Sequence, residues 1–367
     1  MGIYETTLEI DLRALTHNFQ FLKSKLQPKT KFMAVVKAFG YGSDAIEIAK
    51  HLESLEVDYF AVAYTSEGMA LRDAGIETPI MVLHPLPIHF DEIIERCLEP
   101  SLYNAKTLKG FIEVAKKHAQ KDYPIHIKFN TGLNRLGFWE NDVEYIIEKL
   151  KATSSVKVLS ILSHLAASED LTERSFTQHQ IGTFKKIASE FERKVGYEVK
   201  MHQCNTSGIL NYPEAHFDMV RSGIGLYGFG NDPKFDDHLR PIASLKSVIS
   251  QIHTIEPGET VGYNRAYKAP YFQRTATIPV GHADGISRIY GNEKGWVMIK
   301  GKKAPIIGNV CMDMIMVNIT DIDCKEGDEV VIFGKGSSAN ALAENAGTIS
   351  YELITSVSQR VKRTVLR

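Results

Sequence analysis

The stretch KFMAVVKAFGYGSD at residues 31–44 combines a predicted strand, a lysine and a break in the chain. Its apolar run predicts a buried strand that delivers Lys37 to its carboxyl end, and Gly40 and Gly42 then interrupt the pattern. Lysine is rarely buried without a partner. Lys37 therefore either extends its amine from the strand end into water or uses that amine in covalent chemistry.

The composition is that of an ordinary globular protein. The 367 residues carry a formal net charge of −1, which gives no electrostatic footprint for nucleic acid or an anionic membrane. No apolar run approaches the roughly 20 residues of a membrane span, and the opening MGIYETTLEIDLR lacks a signal-peptide pattern. The four cysteines form no CxxC pair and the histidines form no HExxH, so we expect a cytoplasmic protein without disulfides or a metal site.

From residue 31 to about 225, short apolar runs alternate with amphipathic segments. Eight runs, separated by segments whose apolar spacing is near 3.6 residues, predict an α/β fold with an N-terminal (β/α)8 TIM-like barrel. The predicted strands are MAVV (33–36), YFAVA (59–63), PIMVL (79–83), CLEPSL (97–102), IHIKF (125–129), VKVLSIL (156–162), VKMHQ (199–203) and FDMV (217–220).

Beyond about Asp232 the pattern changes to short β-rich segments separated by turns such as EPGE and KGSS. No long helical pattern lies between them, which predicts a C-terminal, mostly-β domain. The predicted domains are a barrel over residues 1–235 and a β-rich domain over residues 236–367. The first ten or so residues are compatible with either domain.

Catalytic groups of such barrels collect where the strands end at the carboxyl face. Taken singly, a lysine or histidine there is an ordinary solvated or structural group. Together the residues at the strand ends predict a positively charged site, with hydroxyls and glycine near the last two strands, where barrels hold phosphate. A lysine that faces a phosphate site suggests pyridoxal phosphate as cofactor. The strand-end residues are Lys37, Lys128, His164, Asn205, Thr206, Ser207, Arg221, Ser222 and Gly223.

The segment GIGLYG at residues 223–228 also matches the GxGxxG dinucleotide fingerprint. That fingerprint requires its glycines to open a helix within a βαβ unit. The following residues, FGNDPKFDD, have no helical pattern. We therefore interpret these glycines as a place where backbone amides approach a phosphate.

These motifs resemble those of alanine racemases, a pyridoxal-phosphate-dependent family with a barrel followed by a β domain. The likeness runs nearly end to end, from EIDLRALTHNF (9–19) to YELITSVSQR (351–360). No single motif is decisive, but their order and spacing are very specific. The motifs are AVVKAFGYG, KFNTGLNRLGF, SHLA, HQCNTSG, VRSGIGLYG, TVGYNRAY, NVCMDMIMV and TISYE.

The resemblance implies a role for each matching residue. Lys37 occupies the position that carries the cofactor, and Tyr263 occupies that of the second catalytic base. Arg135, beside the phenolic oxygen of the cofactor, and Met312 match substrate-binding positions, and Lys128 matches a lysine that can carry a carbamate. The cofactor-binding positions are Lys37, Tyr41, His164, Asn205, Thr206, Arg221, Gly223, Ile224 and Tyr351.

Five positions depart from the family pattern. Asn130 stands where aspartate is usual, and glycine is common where Asn134 stands. Histidine and asparagine are common at the positions of Ser43 and Phe39. His282 occupies a position at the substrate entryway that is usually tyrosine. These departures concern the access channel, the rate and the state of Lys128, not the reaction.

Racemisation requires a proton to leave one face of the substrate and a proton to return to the other, and two bases on opposite faces satisfy that geometry. The resemblance assigns these roles to Lys37 and Tyr263. A free tyrosine is a poor base at neutral pH, so we expect Arg221 and His164 to assist it. A guanidinium only donates, so Arg221 would also keep the ring nitrogen of the cofactor unprotonated, which disfavours transamination.

The resemblance has two further implications. A carbamate on Lys128 would turn a cation into an anion that holds Arg135 by charge-assisted hydrogen bonds. Tyr263 and Met312 would reach the active site from a partner subunit. The expected assembly is a head-to-tail homodimer with shared active sites that acts on alanine and binds neither nucleic acid nor membrane.

Three alternatives share parts of this pattern. A broad-specificity racemase for serine, lysine or arginine has the same fold, although bulky Tyr351 and Arg135 favour a small side chain. A related decarboxylase would place a carboxylate where Arg221 stands, and a single-barrel pyridoxal-phosphate carrier would lack the second domain and Tyr263. The leading expectation is interconversion of L- and D-alanine, which implies supply of D-alanine for bacterial peptidoglycan.

Overall fold

The structure is a computed structural model that describes residues 5–367. The chain divides into two compact units. The barrel unit holds Leu15–Gly40 and Ala45–Arg240. The β unit holds the described residues 5–14, together with Tyr41–Asp44 and Pro241–Arg367. The β unit is therefore assembled from three stretches that are far apart in sequence.

The barrel unit contains one sheet of eight parallel strands. Numbered along the whole chain, they are β2 (Lys31–Val35), β3 (Tyr59–Val62), β4 (Ile80–Val82), β5 (Glu99–Leu102), β6 (Tyr123–Lys128), β7 (Val156–Leu162), β8 (Lys200–His202) and β9 (Met219–Ser222). Consecutive strands pair from β2 to β8, and β9 returns to pair with β2. Between β8 and β9, Asp218 N–H donates to the carbonyl of Met201 at 3.2 Å. Arg221 N–H donates to that of Cys204 at 3.1 Å, and these bonds bridge the remaining gap. The predicted TIM-like barrel is confirmed.

All eight predicted runs overlap a barrel strand, including the two with the weakest patterns. In CLEPSL, Pro100 lies within β5. This strand pairs with β4 at only two positions, Met81–Glu99 and Val82–Pro100. Because the ladder is so short, the backbone N–H that proline lacks costs it few hydrogen bonds. In VKMHQ, the polar residues that weaken the apolar pattern, His202 and Gln203, are fully buried. Polarity in these strands therefore marks groups that are needed inside the fold.

Helices separate the barrel strands, as the apolar spacing predicts. The helices of the chain are α1 (Leu12–Lys23), the short α2 (Lys37–Tyr41), α3 (Ala45–Ser54), α4 (Thr65–Asp73), α5 (Phe90–Glu95), α6 (Ala105–Lys117), α7 (Val143–Lys151), α8 (Arg174–Val195), α9 (Thr206–Asn211), α10 (Pro233–Asp236), α11 (Ala339–Asn345) and α12 (Ser350–Thr355). Before α6, the Asn104 side chain accepts a hydrogen bond from Thr107 N–H at 2.8 Å and caps a donor that the helix leaves unpaired. Leu108, Phe111 and Ala115 form its buried face. Among residues 5–367, no helix has the length and apolar character needed to cross a membrane.

The short helix α2 turns in the left-handed sense. Ala38, Phe39 and Gly40 have φ angles of 53°, 55° and 62°, and Tyr41 continues the turn with 52°. An L-residue other than glycine in this conformation costs roughly 1–2 kcal/mol. The glycines predict a break here, but they do not predict that the residues around them share the left-handed conformation. The turn begins at Lys37 and so fixes how the chain leaves this lysine.

The β unit is built on a sheet of nine strands, which confirms the mostly-β character predicted for the C-terminal part of the chain. Its strands are β1 (Thr7–Asp11), β10 (Ala243–Val248), β11 (Gln251–Ile255), β14 (Gln273–Ile278), β15 (Trp296–Ile299), β16 (Lys302–Ile307), β17 (Ile315–Asn318), β18 (Glu329–Phe333) and β19 (Lys362–Leu366). Their order is β11-β14-β17-β16-β15-β18-β10-β1-β19, and a separate two-stranded ladder joins β12 (Thr260–Val261) to β13 (Tyr267–Lys268). The first strand, β1, lies in this sheet between β10 and β19.

Candidate active site

Lys37 lies just beyond β2, at its carboxyl end. Burial lowers the pKa of its amine, the charge of Arg135 lowers it further, and Glu67 acts in the opposite direction. Glu67 also accepts hydrogen bonds from the backbone N–H groups of Ala38 and Ala63, both at 2.6 Å, and so ties the turn after Lys37 to the end of β3. A lysine with a lowered pKa is more readily neutral and nucleophilic than a surface lysine. This environment favours amine chemistry over a solvated role.

Lys128 belongs to a group of four cations in the barrel unit, with Lys37, Arg135 and Arg221. It ends β6 and is only 8% exposed. Burial lowers the pKa of its amine to about 8, and the charges of Arg221, Arg135 and Lys37 lower it in turn. Gathered cations of this kind favour bound anions such as phosphate and carboxylate. We call these four side chains the cationic cup.

Arg221 lies on β9 with its guanidinium buried, and it is anchored by donated hydrogen bonds. Nη1 donates to Nδ1 of His202 at 2.6 Å and to its carbonyl at 3.1 Å. Nη2 donates to the carbonyls of Ser163 and Gln203, at 2.5 and 3.2 Å. No described residue accepts from Nε–H. Burial lowers the pKa of this guanidinium to about 10, so it stays charged at neutral pH.

His164 adjoins Arg221, with its Nδ1 3.3 Å from Nη2 of that guanidinium. Burial holds the pKa of the imidazole well below its usual range, and the charges of Arg221 and Arg135 act in the same direction. His164 is therefore neutral near pH 7. It takes part in the site as a hydrogen-bonding group and not as a cation.

Several residues predicted to hold phosphate lie where β8 and β9 end. The side chain of Asn205 accepts a hydrogen bond from Gly208 N–H at 2.8 Å and fixes the start of α9. The hydroxyl of Thr206 lies 3.0 Å from that of Ser222 and accepts from Gly225 N–H at 3.2 Å. The structure thus brings the loop after β8 and the loop after β9 together through small polar groups.

The GIGLYG segment follows β9 as consecutive turns. Leu226 N–H donates to the carbonyl of Gly223 at 2.8 Å, and Tyr227 N–H donates to that of Ile224 at 3.0 Å. No helix begins among these glycines. The segment therefore lacks the helix that a dinucleotide fingerprint requires, as its sequence context predicts.

Tyr41 and Tyr351, both predicted to contact the cofactor, lie together in the β unit. Their ring centroids are 6.4 Å apart. Burial raises the pKa of the Tyr41 hydroxyl, and Tyr351 raises it further, so Tyr41 stays protonated. A side chain at Gly42 would collide with the carbonyl oxygen of Ile354, and Arg363 donates to the Gly42 carbonyl at 2.9 Å. The chain after Tyr41 is therefore fastened to the C-terminal part of this unit.

Tyr263 and Met312, the other predicted residues of the β unit, are exposed. Their exposed fractions are 72% and 59%. Their backbones are held, because Asn309 donates to the carbonyl of Tyr263 at 3.2 Å and Ala283 N–H donates to that of Met312 at 3.0 Å. Other large apolar side chains of this unit are exposed as well, namely Tyr271, Phe272, Ile289, Met314 and Ile349.

The loop that carries Arg135 is organised by the two asparagines that depart from the family pattern. The side-chain oxygen of Asn130 accepts from the N–H groups of Gly132 and Asn134, at 3.1 and 3.0 Å. Its Nδ2 donates to Oδ1 of Asn134 at 2.8 Å. Asn134 has a φ of 57°, where glycine is favoured and asparagine is better tolerated than most residues. Arg135 follows directly and is exposed.

Three further residues hold the site and were not predicted from the sequence: Glu67, His202 and Gln203. His202 and Gln203 lie within the HQCNTSG motif, but the resemblance gives them no role. The available signal was their polarity inside a predicted barrel strand, since a buried polar residue needs a partner. Glu67 gave no such signal, because a glutamate in the first turn of a helix is common on stability grounds alone.

Comparison with known proteins gives a consistent result. Residues 10–231 match the family model for the N-terminal domain of alanine racemase, and residues 242–365 match the model for its C-terminal domain. The chain is 35% identical over 367 residues to an alanine racemase of Halothermothrix orenii, covering 98% of this chain and 96% of that one. It is also similar to two solved structures. For an alanine racemase of Clostridium difficile 630 the TM-score is 0.92 at 35% identity, covering 100% and 97% of the two chains. For an alanine racemase of Bartonella henselae with covalently bound pyridoxal phosphate, the TM-score is 0.91 at 30% identity, covering 99% of each chain.

Proposed function

Since this chain belongs to the alanine racemase family and is therefore an amino-acid isomerase, we propose that it interconverts L- and D-alanine by a two-base mechanism with pyridoxal phosphate. The observation that carries the proposal is the cationic cup, in which Lys37 and Lys128 both have lowered pKa values. A phosphate, a phenolic oxygen and a substrate carboxylate are anions that such a cup would bind.

The side chains present fit the cofactor. Lys37 would hold it covalently, because burial and Arg135 leave the amine more readily neutral. Arg221 would meet the ring nitrogen with its Nε–H, which lacks an acceptor among the described residues. Arg135 would lie beside the phenolic oxygen. The remaining cofactor-binding residues would be Tyr41, His164, Asn205, Thr206, Gly223, Ile224 and Tyr351.

Lys37 and Tyr263 would exchange protons with the α-carbon of alanine from opposite faces. One of them takes the α-proton and the other returns a proton, and their roles reverse for the opposite enantiomer. When bound, pyridoxal phosphate stabilises the negative charge that forms at the α-carbon. Arg221 can only donate, so it would leave the ring nitrogen unprotonated and keep the negative charge close to the α-carbon, where the proton must return. Arg135 and Met312 would position the substrate.

We propose a homodimer in which Tyr263 and Met312 complete the site of the partner subunit. Both side chains are exposed, among further exposed aromatic and apolar residues of the β unit. A group of large exposed apolar side chains is typical of a surface that another chain covers. The family then suggests a cytoplasmic enzyme that supplies D-alanine for peptidoglycan.

Lys128 would carry a carbamate. With a pKa of about 8, an appreciable fraction of its amine is neutral at physiological pH. A neutral amine adds to carbon dioxide, forms an N–C bond and releases one proton. The product is an anion, which the neighbouring charges of Arg221, Arg135 and Lys37 would stabilise in place of the repulsion that the free amine experiences.

Incubation with L-alanine in deuterated water tests the proposal. The purified protein, supplied with pyridoxal phosphate, should exchange the α-proton for deuterium, as followed by proton NMR. Chiral chromatography should show approach to equal amounts of D- and L-alanine. Absence of exchange by protein that holds the cofactor would contradict the proposed function.

A further inference from the structure

Five consecutive strands of the barrel each contribute one polar side chain to a continuous buried chain of hydrogen bonds. Every member is buried, with exposed fractions from 0 to 9%. The chain begins at a carboxylate and ends at a guanidinium. Its members are Glu99 on β5, His126 on β6, Ser160 on β7, His202 on β8 and Arg221 on β9.

The distances are those of good hydrogen bonds along the whole chain. Nη1 of Arg221 lies 2.6 Å from Nδ1 of His202, and Nε2 of His202 lies 2.9 Å from the hydroxyl of Ser160. The same hydroxyl lies 2.6 Å from Nδ1 of His126, whose Nε2 lies 2.8 Å from Oε2 of Glu99.

With both imidazole rings neutral, the guanidinium at one end and the carboxylate at the other fix the direction of every bond. Arg221 can only donate, so Nδ1 of His202 accepts and the proton of the neutral ring sits on Nε2. His202 then donates to Ser160, the hydroxyl of Ser160 donates to Nδ1 of His126, and Nε2–H of His126 is left to donate. Glu99 closes the chain, because an ionised carboxylate only accepts.

Two further observations fit this direction. Burial holds the pKa of His202 well below its usual range, and the neighbouring Arg221 and His126 lower it further. His202 is therefore neutral, as the direction of the hydrogen bonds requires. Tyr59 lies against the other end of the chain, where burial and the Glu99 carboxylate raise the pKa of its hydroxyl. A protonated Tyr59 is a hydrogen-bond donor to the Glu99 carboxylate, which accepts at this end of the chain of hydrogen bonds.

We propose that Glu99, His126 and Ser160 are positioning residues for Arg221, which they orient through His202. The inference rests on the proposed function of Arg221 toward the ring nitrogen of the cofactor. If the hydrogen bonds ran in the opposite direction, Nδ1 of His202 would carry a proton that faces Nη1 of Arg221. Two donors would then oppose each other at 2.6 Å. The guanidinium would then have to shift, and its Nε–H would no longer be held toward the ring nitrogen.

The protonation pattern can be measured without any catalytic assay. Nitrogen-15 NMR of the full-length protein with labelled histidine and bound cofactor distinguishes the two neutral ring forms and the charged form. Variants His126→Gln and His202→Gln assign the signals. We expect both rings to be neutral with the proton on Nε2. Either ring protonated on Nδ1, alone or as a cation, would overturn the proposal.

Matched variants then test the link to Arg221. Glu99→Gln keeps the shape but adds a donor that permits the reverse direction, and Ser160→Ala interrupts the chain. Ser101→Ala is the control, because Ser101 lies on β5 two residues after Glu99, is fully buried, and its hydroxyl has no hydrogen-bond partner among the described residues.

The readout is the partition between racemisation and transamination. In the side reaction the amino group passes to the cofactor, alanine is oxidised to its keto acid and the cofactor is reduced to its amine form. We expect the amount of keto acid formed per racemisation event to rise about tenfold in Glu99→Gln and Ser160→Ala. A tenfold change is the factor that corresponds to the loss of one buried hydrogen bond. In Ser101→Ala the same ratio should change less than about twofold.

The outcomes separate the two proposals. Equal partition ratios in all three variants would overturn the positioning role, even if racemisation is observed. If wild-type protein holds the cofactor but racemises nothing, the proposed function fails, and the nitrogen-15 pattern still supports or overturns the hydrogen-bonded chain by itself.

Discussion

Two pairs of candidate functional residues, one in the barrel unit and one in the β unit, are held in opposite ways. In the barrel unit, Arg221 and Lys128 are buried, and hydrogen bonds within the unit anchor the Arg221 guanidinium. In the β unit, Tyr263 and Met312 present exposed side chains on anchored backbones. Burial shifts the pKa values of the barrel residues, so their chemistry is set by the chain itself. The exposed pair depends on whatever covers it, which is why we propose a partner subunit.

The largest effect on racemisation should come from a substitution in the barrel unit. Lys37→Ala removes both the proposed covalent anchor and one of the two proposed bases, so racemisation should fall by at least about 10⁴-fold. The cofactor should also be lost on dialysis. Lys31→Ala, at the partly exposed start of the same strand, is the matched control and should retain activity. Near-normal racemisation by Lys37→Ala would remove this lysine from the mechanism.

Tyr263→Phe should lower racemisation by about 10²–10⁴-fold, the usual contribution of one general acid or base. Retention of the cofactor should be unchanged, because this hydroxyl is not among the groups proposed to hold it. Tyr271→Phe, another exposed tyrosine of the β unit, is the control. A variant that loses cofactor as readily as activity would show that Tyr263 has a different role.

Mixing these two inactive variants tests whether sites are shared. If Tyr263 acts in the site of the partner, a mixed dimer of Lys37→Ala and Tyr263→Phe subunits contains one fully intact site. Random exchange should then restore about a quarter of wild-type activity. No recovery, after subunit exchange has been verified by mass, would place both residues of each site on one chain.

Lys128 should give a smaller, pH-dependent effect on stability. Its amine has a folded-state pKa of about 8, below the ordinary value of 10.5, so between these values the unfolded chain binds more protons and stability rises with pH. In carbonate-free, cofactor-free protein, Lys128→Met should be more stable than wild type at pH 7 by on the order of 2 kcal/mol, and the difference should shrink toward pH 10.5.

Bicarbonate sharpens the same prediction. Added near pH 8, it should raise the melting temperature of wild type and leave Lys128→Met unchanged, because only the lysine can form the carbamate. Lys157→Met, at an exposed position on β7, controls for general salt effects. An equal rise in all three proteins would exclude a carbamate on Lys128.

The smallest effect should come from the loop before Arg135. Asn134→Ala loses the hydrogen bond from Asn130 and adds strain at a φ of 57°, for about 1–2 kcal/mol of unfolding free energy. Asn134→Gly loses the same bond without the strain and should cost less. Denaturant unfolding measures both, and an equal loss in the two variants would show that the hydrogen bond, not the backbone, decides stability here.

Much of the barrel could be predicted because its strands obey local rules. Apolar runs located all eight strands, and strand ends located Lys37, Lys128 and Arg221, since the carboxyl ends of barrel strands meet at one face. The β unit was predicted as a class but not as a sheet order, because antiparallel pairing between distant strands leaves no periodic signal.

The rest could not be predicted for physical reasons. The hydrogen-bonded chain from Glu99 to Arg221 depends on which side chains face each other across strands, and His126 and Ser160 read only as interruptions of apolar runs. Tyr263 was proposed as the second base by resemblance alone, since an exposed tyrosine in a turn has no pattern that indicates chemistry.

The left-handed turn at Ala38–Tyr41 has a consequence for how substitutions are tolerated. In a saturation mutagenesis scan of these positions, glycine and asparagine should be retained or enriched. Valine, isoleucine and threonine should be depleted, whatever their hydrophobicity. The reason would be conformational and not chemical. A strong selection signal beside a reactive lysine can therefore report on the handedness of the backbone, and sequence variation here is best interpreted residue by residue against φ.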